Sequence, residues 1–159
     1  MDQSNAVSHW LPCPVVFITT AHGERQDIMT ATAMFVSEKE PLVAISVASN
    51  HLTAQLIGQA GGFTLVIASE NQKGLAWQLG GVKGEETDKF KHFAIATLPA
   101  KPGKPLIPVD ASSWLECEVV SQQAVDGYSL VIARVVEQAD LGNPPLLWQK
   151  QTLFALKPL

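Results

Sequence analysis

Two apolar runs, residues 28–36 and 42–47, are joined by a short charged turn ending in Pro41, and this pair constrains the fold most. Short runs rich in apolar and β-branched residues, bounded by turn signals, read as strands. The segment therefore predicts a β-hairpin rather than a helix. Its first strand is unusual in carrying four small residues, Thr30, Ala31, Thr32 and Ala33, where bulk is normal. Small side chains let a flat ligand approach the main chain, whose N–H and C=O groups can then bond its edges.

The rest of the chain repeats the strand-and-turn rhythm. Residues 14–20 include Val15, Val16, Phe17, Ile18, Thr19 and Thr20 and stop at the His22-Gly23 turn. Residues 63–68 follow Gly61-Gly62. Residues 114–121 and 128–136 flank Asp126-Gly127, a pair that favours the positive backbone angles of a tight hairpin turn. Both alternating sets within 130–136 are largely apolar, which predicts a strand covered on both faces. Residues 152–156 read as a last strand. Two segments have helical spacing instead: Leu52, Leu56, Ile57 and Ala60, and then Leu75, Leu79 and Val82. The second follows Ser69-Glu70-Asn71-Gln72, which fits a capping box. Four prolines between 98 and 108 predict an extended connection, since proline lacks a ladder donor. No repeat or linker interrupts residues 1–159, so one domain is expected, mainly β with a few helices, closed as a barrel or sandwich.

Composition excludes more than it selects. A chain of 159 residues is long enough to bury a continuous core. A formal charge of −4 argues against nucleic-acid binding through a broad basic surface. No apolar run approaches the roughly 18–20 residues that span a bilayer, so no membrane segment is expected. Met1 to Asn5 lack the basic start of a signal peptide, which points to the cytoplasm. The two cysteines, Cys13 and Cys117, have no neighbours at metal-ligand spacing. Cys117 sits in an alternating strand pattern and reads as a small buried hydrophobe. A disulfide is not expected in a reducing compartment. His9, His22, His51 and His92 are too dispersed to predict a zinc site.

Two segments could hold a ligand. Ser49 and Asn50 are favoured N-cap types ahead of the first helix, whose free N–H groups suit a phosphate. His51 and Thr53 are further donors there, although most capped helices bind nothing. Gly80-Gly81-Val82-Lys83-Gly84 leads into Glu85-Glu86-Thr87-Asp88-Lys89-Phe90. Taken alone, such a stretch is a surface loop, and Lys89 a solvated lysine.

Taken together, several motifs resemble the flavin reductase-like, FMN-binding split-barrel family over residues 12–154. They are Pro14-Val15-Val16-Phe17-Ile18-Thr19-Thr20, Thr30-Ala31-Thr32, Ser37, Pro41-Leu42-Val43, Asp88-Lys89-Phe90 and Leu115-Glu116-Cys117-Glu118-Val119. The resemblance implies a split β-barrel and a homodimer with FMN at or near the interface. NAD(P)H or a redox protein would be the electron donor. It further implies cofactor contacts from Met29, Thr30, Ala31 and Thr32, and phosphate contacts from the loop holding Ser49, Asn50, His51 and Thr53. Lys89 would add positive charge near the cofactor, with Asp88 and Phe90 fixing its loop. No nucleophile–base pair is evident and flavin chemistry needs none, so no catalytic residue is assigned.

Three positions depart from the family pattern. Cys13 replaces an arginine, Asp27 replaces an asparagine with an acceptor-only carboxylate, and Asp126-Gly127-Tyr128 stands in place of Gly-Asp-His. An FMN-dependent oxidoreductase is the leading expectation. The missing histidine favours a non-catalytic flavin or haem-type carrier or sensor as its rival. Cys13 and Asp27 favour a barrel that has lost its cofactor.

Overall fold

The computed structural model describes residues 6–159; the N-terminal stretch read for a signal peptide lies outside them. Ten strands form: β1 (Cys13–Pro14), β2 (Val16–His22), β3 (Arg25–Ala31), β4 (Ala33–Ser37), β5 (Leu42–Ala48), β6 (Gly62–Ile67), β7 (Ser113–Val125), β8 (Tyr128–Asp140), β9 (Leu146–Gln149) and β10 (Thr152–Ala155). Three α-helices accompany them: α1 (Leu52–Ala60), α2 (Lys73–Leu79) and α3 (Lys89–His92).

The run expected as one strand over 28–36 is in fact two, β3 and β4, separated by Thr32 alone. Their places in the sheet explain the break. The seven-stranded sheet runs β3-β2-β6-β7-β8-β5-β4, so β3 and β4 are its two opposite edges. Adjacent residues cannot sit at distant edges, so the sheet must curl until the edges meet beside Thr32. The result is a barrel whose seam lies at the β3–β4 step, the split barrel that the resemblance implied. A second sheet, β1-β9-β10, lies beside it. It is tied on where Val15 N donates to Leu146 O at 3.0 Å and Leu146 N to Ala68 O at 3.0 Å.

β2 and β6 carry the core on both faces. Val16, Ile18, Phe63 and Leu65 point into one cluster with Val43, Ile45, Ile57 and Val131. Val15, Phe17 and Val66 point into another with Ala76, Leu79, Phe90 and Trp114. Successive side chains on a strand face opposite ways, so a near-continuous apolar run is what burial on both faces demands. β8 was expected to behave likewise and does not. Val131 and Ala133 are fully buried, but Leu130 and Ile132 are half-buried and Val136 is exposed. Its outer face is open.

Turn chemistry is legible locally. Asp126 and Gly127 have φ of 46° and 78°, the positive angles that the β7–β8 hairpin turn requires. The capping box forms, with Ser69 Oγ accepting from Asn71 N at 3.2 Å and Ser69 N donating to Gln72 Oε1 at 3.1 Å. It starts a short 3-10 turn, Glu70–Gln72, ahead of α2.

Candidate functional site

Asp27 organises the site. β3 places it opposite Thr20 of β2, and its carboxylate is 3% exposed. Thr53, in the first turn of α1, donates through Oγ1 to Asp27 Oδ2 at 2.7 Å. Lys89 Nζ stands 3.2 Å from Asp27 Oδ1 and donates to Ile28 O at 2.9 Å. The Lys89–Asp27 contact is an ion pair without hydrogen-bond alignment, so Oδ1 keeps no hydrogen-bond donor among the described residues.

Lys89, which its sequence context alone made a solvated lysine, is only 5% exposed. Its neighbours explain why. Asp88 caps α3, its Oδ1 accepting from Phe90 N at 3.1 Å and Lys91 N at 3.3 Å. Gln26 Nε2 donates to the other carboxylate oxygen of Asp88 at 3.3 Å. Phe90 enters the core beside Phe17 and Ile28. With a cap before it and an anchor after it, Lys89 is turned onto β3. Asp88-Lys89-Phe90 is thus a cap, an ion-pair partner and an apolar anchor in succession.

The glycine-rich stretch folds over this floor. A Cβ on Gly84 would lie 2.5 Å from Asp27 Oδ1, so only a residue without one can approach so closely. Between this stretch, β3 and the start of α1 lies a cavity of about 560 Å³. Asp27, Met29, Thr30, Asn50, His51 and Lys89 line it, with Lys83 and the glycines on the opposite wall. The helix start differs from expectation. The N-cap is His51, and among the described residues no side chain caps α1. Ser49 instead donates its N–H to Gly127 O at 2.9 Å and does not line the cavity. An uncapped first turn keeps its N–H groups and partial positive charge available.

A second cavity of about 280 Å³ adjoins the first, sharing Thr30 and Gly80 with it. Its walls are mainly apolar: Val15, Ala31, Ala76, Trp77, Trp148 and Leu153, with Thr32 at the seam. Trp77 and Trp148 meet at 5.1 Å between ring centroids, tilted by 59°. Thr30 Oγ1 donates to Ala76 O at 2.8 Å and ties β3 to α2 where the cavities join. The two form one groove, polar and charged at one end, flat-walled and apolar at the other.

Of the nine residues expected to bind a cofactor, Met29, Thr30, Asn50, His51 and Lys89 meet in the first cavity, and Ala31 and Thr32 line the second. Thr53 is fully buried behind the wall with its hydroxyl committed to Asp27. Ser49 lies outside. Sequence reasoning missed Trp77 and Trp148; the only available signal was a tryptophan beside, rather than on, the apolar stripe of α2. Cys117 is buried, and desolvation pushes its thiol up to about 12, so it stays protonated and behaves as the expected small hydrophobe.

Residues 7–157 match the family described as flavin reductase like domain. The chain belongs to the flavin reductase-like family. Membership makes it a flavoprotein of the oxidoreductase kind. It is 31% identical over 131 residues to YddH of Escherichia coli (strain K12), covering 79% of this chain and 69% of that one. It is 30% identical over 142 residues to the high molecular weight rubredoxin of Moorella thermoacetica, 86% of this chain and 60% of that one. The chain thus spans less than two thirds of the Moorella protein. The fold is shared with an FMN-binding protein from Thermus thermophilus crystallised with 1-cyclohex-2-enone. There the TM-score is 0.83 at 21% identity, covering 95% of this chain and 90% of the other.

Proposed function

We propose that the groove holds FMN and that the protein passes reducing equivalents from NAD(P)H or a redox protein through it. The observation that carries this is the continuity of the two cavities at Thr30 and Gly80. A flavin has the matching shape, a flat ring joined by a hydroxyl-bearing chain to an anion. The small strand Thr30-Ala31-Thr32 gives the ring access to the main chain, with Trp77 and Trp148 as an apolar wall. Asp27 Oδ1, a buried acceptor without a donor, fits the hydroxyl-bearing chain. The open first turn of α1, with Asn50, His51 and Lys83, fits the phosphate at the rim. When bound, the flavin supplies a ring that accepts hydride and passes on electrons. The residues around it bind, orient and shield that ring.

The remaining features of the reading have separate support. Met34 and Phe35 on edge strand β4 are 65% and 68% exposed, and Val36 of the same strand is exposed too. So much apolar surface around one sheet edge suits a homodimer. Both cysteines are free, which suits the cytoplasm. One domain over residues 1–159 accommodates all of this. The relative named as a rubredoxin supports a redox protein among the donors.

The visible spectrum of the purified protein with added FMN tests the cofactor. Fluorescence quenching should show FMN bound more tightly than riboflavin; equal affinities would sink the phosphate assignment. Light scattering should give about twice 17.1 kDa. The carrier or sensor reading is favoured by Tyr128, which replaces a histidine of the family pattern and lines neither cavity. Bleaching of the bound flavin on anaerobic titration with NADH or NADPH decides for an oxidoreductase drawing on nicotinamide.

A further inference from the structure

Two groups that attract anions converge on one point in this chain, and the point is already filled. The hydroxyl of Thr53, in the first turn of α1, and the Nζ of Lys89 both face the carboxylate of Asp27. Asp27 and Lys89 are 3% and 5% exposed, so water does little to screen them. Gly84 packs against the carboxylate, an approach that only a missing Cβ allows. Yet Asp27 and Lys89 both still line the first cavity.

We propose that Asp27 is a specificity-determining residue: an internal anion that occupies the groove's cation site and keeps Lys89 from a ligand phosphate. The ligand phosphate is then met at the rim, by the α1 N–H groups with Asn50, His51 and Lys83. Asp27 Oδ1, lacking a hydrogen-bond donor, is left to accept from a ligand hydroxyl. Two consequences follow. The margin by which the protein prefers a phosphorylated flavin over its dephosphorylated form is kept small. Removing the Asp27 charge, with the side chain's shape kept, enlarges it. The ligand named here rests on the flavin reading above; the charge arrangement does not.

The test compares full-length wild type, Asp27→Asn and the double variant Asp27→Asn/Lys89→Met. Asparagine keeps an acceptor for Thr53 but frees Lys89; methionine then removes the freed charge at similar length. Thermal unfolding is followed in rising inorganic phosphate at constant ionic strength. FMN and riboflavin affinities are measured by fluorescence quenching. The expected result is a phosphate-dependent rise in the melting temperature that is larger for Asp27→Asn than for wild type or the double variant. The ratio of FMN to riboflavin affinity in Asp27→Asn should rise roughly tenfold or more, the worth of one charge-assisted contact. Should Asp27→Asn fail to fold alone, recovery of folded protein on refolding in phosphate supports the proposal, and no recovery while the double variant folds overturns it. A folded Asp27→Asn with neither a phosphate response above that of wild type nor a changed ratio also overturns it. If wild type binds neither flavin, the FMN reading falls, and the phosphate response alone still decides the role of Asp27.

Discussion

The two ends of the groove are held in opposite ways. At the polar end, Asp27, Thr53 and Lys89 come from β3, α1 and α3 and are all at least nine-tenths buried. They join three elements through one carboxylate, so the site and the fold are the same contacts. At the apolar end, Trp77 is 52% exposed and leans on Trp148 from a separate sheet. Trp77 belongs to neither core cluster, although the rest of that apolar wall packs on one or the other of them. Changes at the first end should therefore register as lost stability, and changes at the second as lost binding.

Lys89→Met is the harshest test of the contrast. It leaves the Asp27 carboxylate buried without its counter-charge, which costs about 3–5 kcal/mol where one partner of a buried pair is removed. Urea unfolding should show that loss, and affinity for FMN and riboflavin should fall together as the floor loosens. A loss below about 1 kcal/mol would mean that the pair behaves like a solvent-screened surface bridge. The polar end would then not be structural, and the contrast between the two ends would collapse.

Trp77→Ala probes the opposite end. Half of its side chain already faces water, so stability should change little. A ring stacked against it would lose about 0.5–1.5 kcal/mol beyond its area burial, or roughly two- to tenfold in Kd. FMN and riboflavin share the ring, so both should weaken by the same factor. A selective loss of FMN would place the phosphate, not the ring, beside Trp77, and the groove would have to be read in reverse.

Much of the barrel was legible because strand signals are local. The Asp126-Gly127 turn, the small residues 30–33 and the doubly apolar run of β2 each state their conformation within a few residues. The split at Thr32 was not legible, since it depends on where the sheet's edges meet rather than on any breaker in the chain. The same holds for the site. Residues 85–89, Glu-Glu-Thr-Asp-Lys, look like a solvated run, and Lys89 becomes buried only because Asp27 arrives from 62 residues upstream. Ser49 and Asn50 are better capping residues than His51, yet both lie in a turn closed by His51 N donating to Ala48 O at 3.0 Å, so α1 starts after His51. The open outer face of β8 was missed for a related reason: apolar alternation reports suitability for burial, and what covers the face lies outside the strand.

Thr30→Val is the mildest test and acts at the joint between the ends. The substitution keeps the β-branched shape that suits a strand but removes the hydroxyl that donates to Ala76 O. One neutral hydrogen bond contributes about 0.5–1.5 kcal/mol net, which for a chain of this size lowers the melting temperature by about 2–4 °C per kcal/mol. If the hydroxyl serves only to hold α2 on β3, flavin binding should follow that small loss, weakening slightly and equally for FMN and riboflavin. A different pattern would sharpen the picture. Unchanged stability with a marked loss of both flavins would show that the Thr30 hydroxyl leaves Ala76 and bonds the ligand when the groove fills. The joint would then belong to the binding site rather than to the scaffold, and the boundary between the two ends would shift one residue toward Ala31.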